Sequence, residues 1–327
     1  KAMSTTDSWV DSLSSGNPVL QPFADLNNRP KMFGLTRERL DNLKRTIWSN
    51  ILALQLKMHE RHEGHTELAR FFLANRNVLE NLANTDSQDL ERLGKGLMPV
   101  GLQLIQLLAK IDDPDLNQYL SRFSLLLVKD LAESGFNLNV TGEDNIPLTG
   151  PVIIAPNHLS HFDHWPVIAA IKWINAERIF IAGAAELWLA NDDLRFLFGE
   201  ILHVIPIHRE GTKEGMESFR RCVEILRNGN LLLCYPSGGR SETLDVAPFK
   251  EGVALMAKKV KCNCPIVPAY IGGTYELWPK SSKYPLGIGP VTVDFGKPIF
   301  ADGRHANDVT RELEEAVAAL RDDNHRK

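Results

Sequence analysis

Hydrophobic residues between positions 36 and 133 recur at every third or fourth position, with charged residues between them. This spacing is typical of amphipathic helices. The first predicted helix follows Thr36, and others are predicted at 66–82, 86–110 and 114–133, the last ending before Gly135. Because residues 1–33 are rich in Ser, Asn and Pro, we predict a loose arm followed by a helical bundle over residues 1–135.

The pattern changes from residue 136 onward to short, nearly continuous apolar runs. They predict seven strands, at 137–140, 151–155, 178–182, 202–207, 231–235, 265–271 and 290–295. Helical patterns lie at 165–173, 212–227, 250–259 and 306–321. Apolar runs of this kind suit strands buried on both faces. We therefore predict that residues 136–327 form an α/β domain with a mixed, largely parallel sheet flanked by helices.

Composition and charge exclude several classes of protein. A net charge of −4 gives no general attraction to nucleic acid, so no nucleic-acid partner is expected. The four cysteines form no C-x-x-C pair and are interpreted as reduced thiols. No apolar stretch approaches the ~18 residues of a membrane-spanning helix.

Polar residues cluster directly after three of the predicted strands. The clusters are 156–163, His208–Arg209 and Ser237–Arg240. In open α/β sheets, ligands bind beyond the carboxyl ends of the strands. The three clusters therefore predict a functional site at this edge of the sheet.

The first cluster contains a histidine and an aspartate five positions apart, His158 and Asp163. On a regular helix this spacing rotates them ~140° from each other, so they meet only if the chain turns between them. Pro166 suits an early helical position and Asp163 suits an N-cap. The carboxylate could then orient one imidazole nitrogen and leave the other as a base.

Other interpretations of this cluster remain open. Asp163 could be only an N-cap, and His158 only a hydrogen-bonded loop residue. His158, His161 and Asp163 could bind a metal ion, but no further ligand cluster supports this, so we expect no metal. His161 and His164 are interpreted as neighbours without a chemical role.

Several motifs in order resemble those of the glycerolipid acyltransferase family. The segment N-H-x-S-x-x-D at 157–163 resembles its first motif, and I-P-I-H-R at 205–209 its second. Y-P-S-G-G-R-S at 235–241 is similar to the third, usually F-P-E-G-T-R-S, and I-V-P at 266–268 to the fourth. The F-K-x-G segment at 249–252 matches a common continuation of the third motif. The resemblance spans about residues 137–300.

The resemblance implies transfer of a fatty acyl group from acyl-CoA or acyl carrier protein to the hydroxyl of glycerol 3-phosphate, without a cofactor. The P-S-G-G-R form resembles soluble, plastid-type glycerol-3-phosphate acyltransferases, whereas the sequence at 247–252 looks more like bacterial lysophosphatidate acyltransferases. The alternative acceptor is thus 1-acylglycerol 3-phosphate or another lysophospholipid. His158 would be the general base and Asp163 its orienter. Direct transfer is expected, with an acyl-enzyme on Ser160 as an alternative.

A phosphate group on the acceptor needs fixed cations and N–H donors. We expect these from the side chains of Arg240, Arg209, His208 and Lys250 and from the backbone at Ser237, Gly238 and Gly239. The expected location is the cytoplasm or plastid stroma, either soluble or in peripheral contact with a membrane through an amphipathic helix. The alternative from another class is a non-catalytic protein that binds lipid or acyl carrier protein.

Overall fold

The computed structural model describes residues 137–172, 178–185, 202–208, 211–260, 263–282 and 289–324, together with the single residues 74, 121, 175 and 199. The predicted N-terminal bundle lies outside these residues, apart from two isolated positions. Arg209 also lies outside them.

Seven strands form one mixed sheet. They are β1 (Leu138–Thr141), β2 (Val152–Pro156), β3 (Ile179–Ala184), β4 (Val204–Ile207), β5 (Leu231–Leu233), β6 (Ile266–Gly272) and β7 (Val291–Phe295). The strand order is β1-β7-β6-β2-β5-β3-β4. Only the pair β6–β7 is antiparallel among these seven strands. The predicted mixed, largely parallel sheet flanked by helices is confirmed.

Helices cover both faces of the sheet. They are a 3-10 turn (Glu143–Asn145), α1 (His164–Ala170), α2 (Lys213–Arg227), α3 (Gly252–Val260), α4 (Thr274–Leu277) and α5 (Ala306–Asn324). In β2, Val152 and Ile154 pack in one buried cluster with residues of α1. Ile153 packs in the other cluster with residues of α2, α3 and α5. This alternation explains why the sequence of β2 is apolar without interruption.

The strand order brings the carboxyl ends of β2, β5 and β6 side by side, since β2 pairs with both of the others. The segments that follow these three strands therefore meet at one place on the sheet edge. β4 lies at the outer edge of the sheet, with β3 between it and β5. Among the described residues, no helix is long and apolar enough to cross a membrane.

Candidate active site

The segment after β2 is tied to the neighbouring strand by Asn157. Its amide nitrogen donates to the carbonyl oxygen of Ile271 at 3.0 Å, and its amide oxygen accepts from the backbone N–H of the same residue at 2.7 Å. The side chain of Asn157 is buried, so this pair of hydrogen bonds fixes the start of the turn on β6. His158 thus projects from an anchored position at the carboxyl end of the sheet.

His158 and Asp163 meet because the chain turns between them. Nδ1 of His158 lies 2.7 Å from Oδ2 of Asp163, whose side chain is fully buried while that of His158 remains 15% exposed. A carboxylate only accepts hydrogen bonds, so Nδ1 carries the proton. Nε2 is then the basic nitrogen of the imidazole.

Four donors surround the carboxylate of Asp163. Besides His158, the backbone N–H groups of Leu159 and Ser160 donate to Oδ2 at 2.7 and 2.8 Å. The hydroxyl of Thr274 donates to Oδ1 at 2.6 Å. Burial alone would raise the pKa of Asp163, but the His158 bond and charge and the donors Thr274 and Ser160 lower it below its ordinary value. The buried carboxyl group is therefore ionised and held in one orientation.

Asp163 occupies the N-cap position of α1, but its side chain makes no capping bond to the helix. The carboxylate instead faces the preceding turn, where it accepts from Leu159 and Ser160. The interpretation of Asp163 as a capping side chain is therefore wrong. Three nearby donors before the helix, together with Thr274, use the lone pairs that a cap would need.

The third strand-end segment is bonded directly to the first. The backbone N–H of Ser241 donates to the carbonyl oxygen of His158 at 2.8 Å. The ring of Tyr235 stacks on the His158 imidazole, with centroids 4.0 Å apart and 24° between the planes. Arg240 donates through Nη1 to Nε2 of His161. A guanidinium group is thereby placed beside the His158–Asp163 pair.

The two other histidines of the segment also have partners far away in the sequence. Nδ1 of His164 lies 2.8 Å from the hydroxyl of Tyr235, and the His161 ring lies 4.6 Å from that of Trp278. Burial lowers the pKa of His161 to about 4 and that of His164 to about 3. The charge of Arg240 also lowers the pKa of His161. Both imidazoles are therefore neutral at physiological pH.

The residues expected to bind phosphate separate into two groups. Arg240 lies with His161, as described above. His208, Gly238 and Lys250 instead line a cavity of about 500 Å³ whose lining does not include Arg240. In the same segment, Ser237 directs its hydroxyl to the carbonyl oxygen of Gly239 at 2.9 Å.

The cavity lies between α2 and α3. Its wall is mostly apolar and includes Ile207, Met216, Phe219, Val253 and Met256. Cys222 and Cys234 also line it. Burial raises the pKa of both thiols, that of Cys222 to about 12, so both are protonated. The sequence pattern did not locate this space, because its wall is assembled from separate elements.

Thr274 is a site residue that the sequence analysis missed. It follows Gly273, which has φ +85° and lies where a Cβ would be 2.3 Å from the carbonyl oxygen of Pro290. Only glycine fits this turn, and the turn brings Thr274 under Asp163. The pair Gly272–Gly273 at the end of a predicted strand is the signal that could have drawn attention to this position.

No group of three or more His, Cys, Asp or Glu side chains in the described ranges is arranged to bind a metal ion. A metal site made of His158, His161 and Asp163 therefore has no geometric support there. Nε2 of His161 faces Arg240 instead.

Residues 137–272 match the model of the Acyltransferase family. Over 169 residues, the chain is 26% identical to the chloroplastic 1-acyl-sn-glycerol-3-phosphate acyltransferase of Brassica napus, an alignment that covers 50% of this chain and 46% of the relative. It is 31% identical over 152 residues to the 1-acyl-sn-glycerol-3-phosphate acyltransferase of Cocos nucifera, covering 45% of each. The chain spans about half the length of the curated relatives that it matches.

A solved structure also has this fold. The 1-acyl-sn-glycerophosphate acyltransferase PlsC of Thermotoga maritima aligns with a TM-score of 0.54 and 19% sequence identity. The alignment covers 69% of this chain and 88% of the other. At this identity the match concerns the architecture.

Proposed function

Residues 137–272 form a domain of the glycerolipid acyltransferase family, and on that premise we propose that the chain transfers a fatty acyl group from an acyl thioester to a hydroxyl group of a glycerol phosphate. The observation that carries the proposal is the 2.7 Å contact between Nδ1 of His158 and the buried carboxylate of Asp163. This contact leaves Nε2 as a base at the carboxyl edge of the sheet.

In the proposed reaction, Nε2 of His158 takes the proton of the acceptor hydroxyl as its oxygen attacks the thioester carbonyl. A C–O bond forms, the C–S bond breaks, and the proton passes from the imidazolium to the leaving thiolate. Asp163 stabilises the imidazolium that exists between these two transfers. Because its carboxylate is held by four donors, it needs no rearrangement when the charge appears.

Direct transfer is favoured over an acyl-enzyme on Ser160. The hydroxyl of Ser160 is fully buried and donates to the carbonyl oxygen of Trp278 at 2.7 Å. It also accepts from the backbone N–H of Phe162 at 3.0 Å. A nucleophilic serine needs access to the substrate and a base for its proton. Ser160 instead holds the turn in shape.

Arg240 is the proposed ligand of the acceptor phosphate, since its guanidinium donates to His161 in the turn that carries His158. Lys250 and His208 are proposed to bind a second polar group at the cavity, such as the phosphates of the acyl donor. Arg209, which follows His208, stays a proposed phosphate ligand from its motif. The backbone of Ser237, Gly238 and Gly239 is proposed to supply further N–H donors.

The apolar cavity between α2 and α3 is the proposed place for the fatty acyl chain. Its volume of about 500 Å³ lies in the range of ~300–1,000 Å³ that small-molecule sites occupy. Tyr235, which stacks on His158, also lines it. Tyr235 thus contacts both the cavity and the His158 imidazole, and a fatty acyl chain bound in the cavity would end near that imidazole.

Two acceptors are candidates. The motif Y-P-S-G-G-R led to glycerol 3-phosphate, whereas the names of the relatives favour 1-acylglycerol 3-phosphate. We propose the latter as the main acceptor and keep glycerol 3-phosphate as the second candidate.

Two relatives are named chloroplastic, so a plastid is a proposed location beside the cytoplasm. Peripheral membrane contact stays a proposal for a chain with a lipid acceptor.

The test is a thioester-release assay on the purified chain. Acyl-CoA and acyl carrier protein are each offered with glycerol 3-phosphate or 1-acylglycerol 3-phosphate, and free thiol and ester product are both measured. We expect thiol and ester in equal amounts, with faster turnover of the 1-acyl acceptor. Binding without turnover of any pair by the folded protein would favour the non-catalytic lipid- or carrier-binding alternative instead.

A further inference from the structure

Tyr235 connects His158 to a second histidine. Its ring stacks on the His158 imidazole, and its hydroxyl lies 2.8 Å from Nδ1 of His164. Tyr235 is only 7% exposed.

We propose that Tyr235 is a positioning residue for His158 and that His164 fixes the ring of Tyr235. This inference rests on the proposed function, because it assigns a role in the reaction to a residue that does not contact the reacting atoms. In this proposal His164 holds the hydroxyl of Tyr235, and the ring of Tyr235 in turn holds the imidazole of His158.

The geometry explains why a second support is needed. The bond to Asp163 fixes the distance of Nδ1 from the carboxylate, but one hydrogen bond leaves the imidazole free to tilt about it. A ring stacked at 4.0 Å with 24° between the planes restricts that tilt. Nε2 then points in one direction, which is the requirement for proton transfer in a bound complex.

The electrostatic surroundings suit this role. His158 contacts the carboxylate of Asp163 and the ring of His164, and its charge acts on His161, whose Nε2 accepts from Arg240. Burial raises the pKa of Tyr235 well above its ordinary value, and the charge of Asp163 raises it further, so the hydroxyl keeps its proton. The electron-rich face of Tyr235 also attracts the imidazolium that forms during the reaction.

The test measures kcat and KM for five variants and one control variant in the thioester-release assay. Tyr235→Phe removes the hydroxyl, and Tyr235→Met removes the stacked ring while keeping an apolar side chain of similar length. His164→Leu removes the partner of the hydroxyl, whereas His164→Asn keeps a polar group for it. The fifth variant combines Tyr235→Phe with His164→Leu. Tyr275→Phe is the matched control, because it loses a hydroxyl bonded to the carbonyl oxygen of Glu242 outside this cluster.

We expect Tyr235→Met to lower kcat about 10- to 100-fold with acceptor KM changed less than about threefold. Tyr235→Phe and His164→Leu should each lower kcat about three- to tenfold, and the double variant should lose no more than either single one. His164→Asn should recover most of the loss, and Tyr275→Phe should match the unmodified chain.

Three results would overturn the inference. The first is a folded Tyr235→Met protein with normal kcat. The second is a double variant whose losses multiply, which would show that Tyr235 and His164 act separately. The third is a loss confined to KM. If Tyr235→Met does not fold, Tyr235→Phe and the double variant still decide the matter. Absence of turnover by the unmodified chain would instead reject the proposed function.

Discussion

Arg240 donates a hydrogen bond from its guanidinium to Nε2 of His161, a residue 79 positions earlier in the chain. The acceptor nitrogen is available because the imidazole is neutral, its pKa being lowered to about 4. The His161 ring also packs against the ring of Trp278. The direction of the guanidinium is therefore set by a residue of the His158–Asp163 turn.

His161 variants should change the use of the phosphate-bearing acceptor. His161→Phe keeps the contact with Trp278 but loses the bond to Arg240, whereas His161→Gln keeps an acceptor. We expect His161→Phe to raise acceptor KM about five- to tenfold, or about 1–1.4 kcal/mol. Steady-state kinetics at saturating donor measure this. An equal effect of both variants would contradict the role of the bond.

Arg240→Ala should lower kcat/KM for the phosphate acceptor about 10- to 150-fold, since a bond to a charged group contributes about 1.5–3 kcal/mol. The KM of the acyl donor should change little. A monoacylglycerol, which lacks the phosphate, is the informative comparison. If Arg240→Ala slows this neutral acceptor equally, Arg240 does not bind the phosphate.

Loss of the base should stop the reaction without unfolding the protein. We expect His158→Ala to lower kcat about 10²–10⁴-fold, because that is the contribution of a positioned general base. Asp163→Asn should cost a similar factor. The double variant should be no slower than His158→Ala, since the two residues act as a unit. Circular dichroism checks the fold, and near-normal rates in folded His158→Ala would reject the assignment.

The free energy of unfolding should fall as the pH is lowered from 7 to 4. The pKa of His161 and that of His164 lie below the ordinary 6.5 in the folded state, so the unfolded chain binds more protons in this range. The lowered pKa of Asp163 adds stability that is lost only as pH falls below the ordinary value of 3.8. Urea midpoints at pH 7 and pH 5 measure the first effect.

His164→Asn should reduce this pH dependence, because the substituted side chain does not titrate. A midpoint that is equal at pH 7 and pH 5 in the unmodified chain would contradict the linkage.

Side chains of the cavity should control the length of the preferred acyl chain. Cys222→Leu adds volume to the wall and should shift preference toward shorter chains, whereas Phe219→Leu removes volume and should shift it toward longer ones. A panel of acyl-CoA lengths with one acceptor measures both. Unchanged preference in the two folded variants would mean that the acyl chain binds elsewhere.

The sheet was predictable because each of its strands is a short apolar run between turn residues. The strand order was not, since β2 pairs with β5 and β6, which lie about 80 and 110 residues later. The antiparallel placement of β7 left no signal in its own sequence. The pattern of apolar residues predicts which strands are buried, but it does not predict which strand each one pairs with.

The motif residues His158 and Asp163 could be named from sequence because they lie close together in the chain. The contacts of His161, His164 and Thr274 could not, since each forms with a residue more than 70 positions away. A single histidine in a polar segment gives no indication of such a partner. Local spacing thus located the centre of the site but not its surroundings.

The backbone bond from Ser241 to the carbonyl oxygen of His158 has a consequence for variants of this site. The bond uses main-chain atoms only, so its donor and acceptor remain in any variant of these two positions except one with proline in place of Ser241. The main chain therefore ties the turn that carries the His158 imidazole to the segment that carries Arg240, in addition to the side-chain bond between Arg240 and His161.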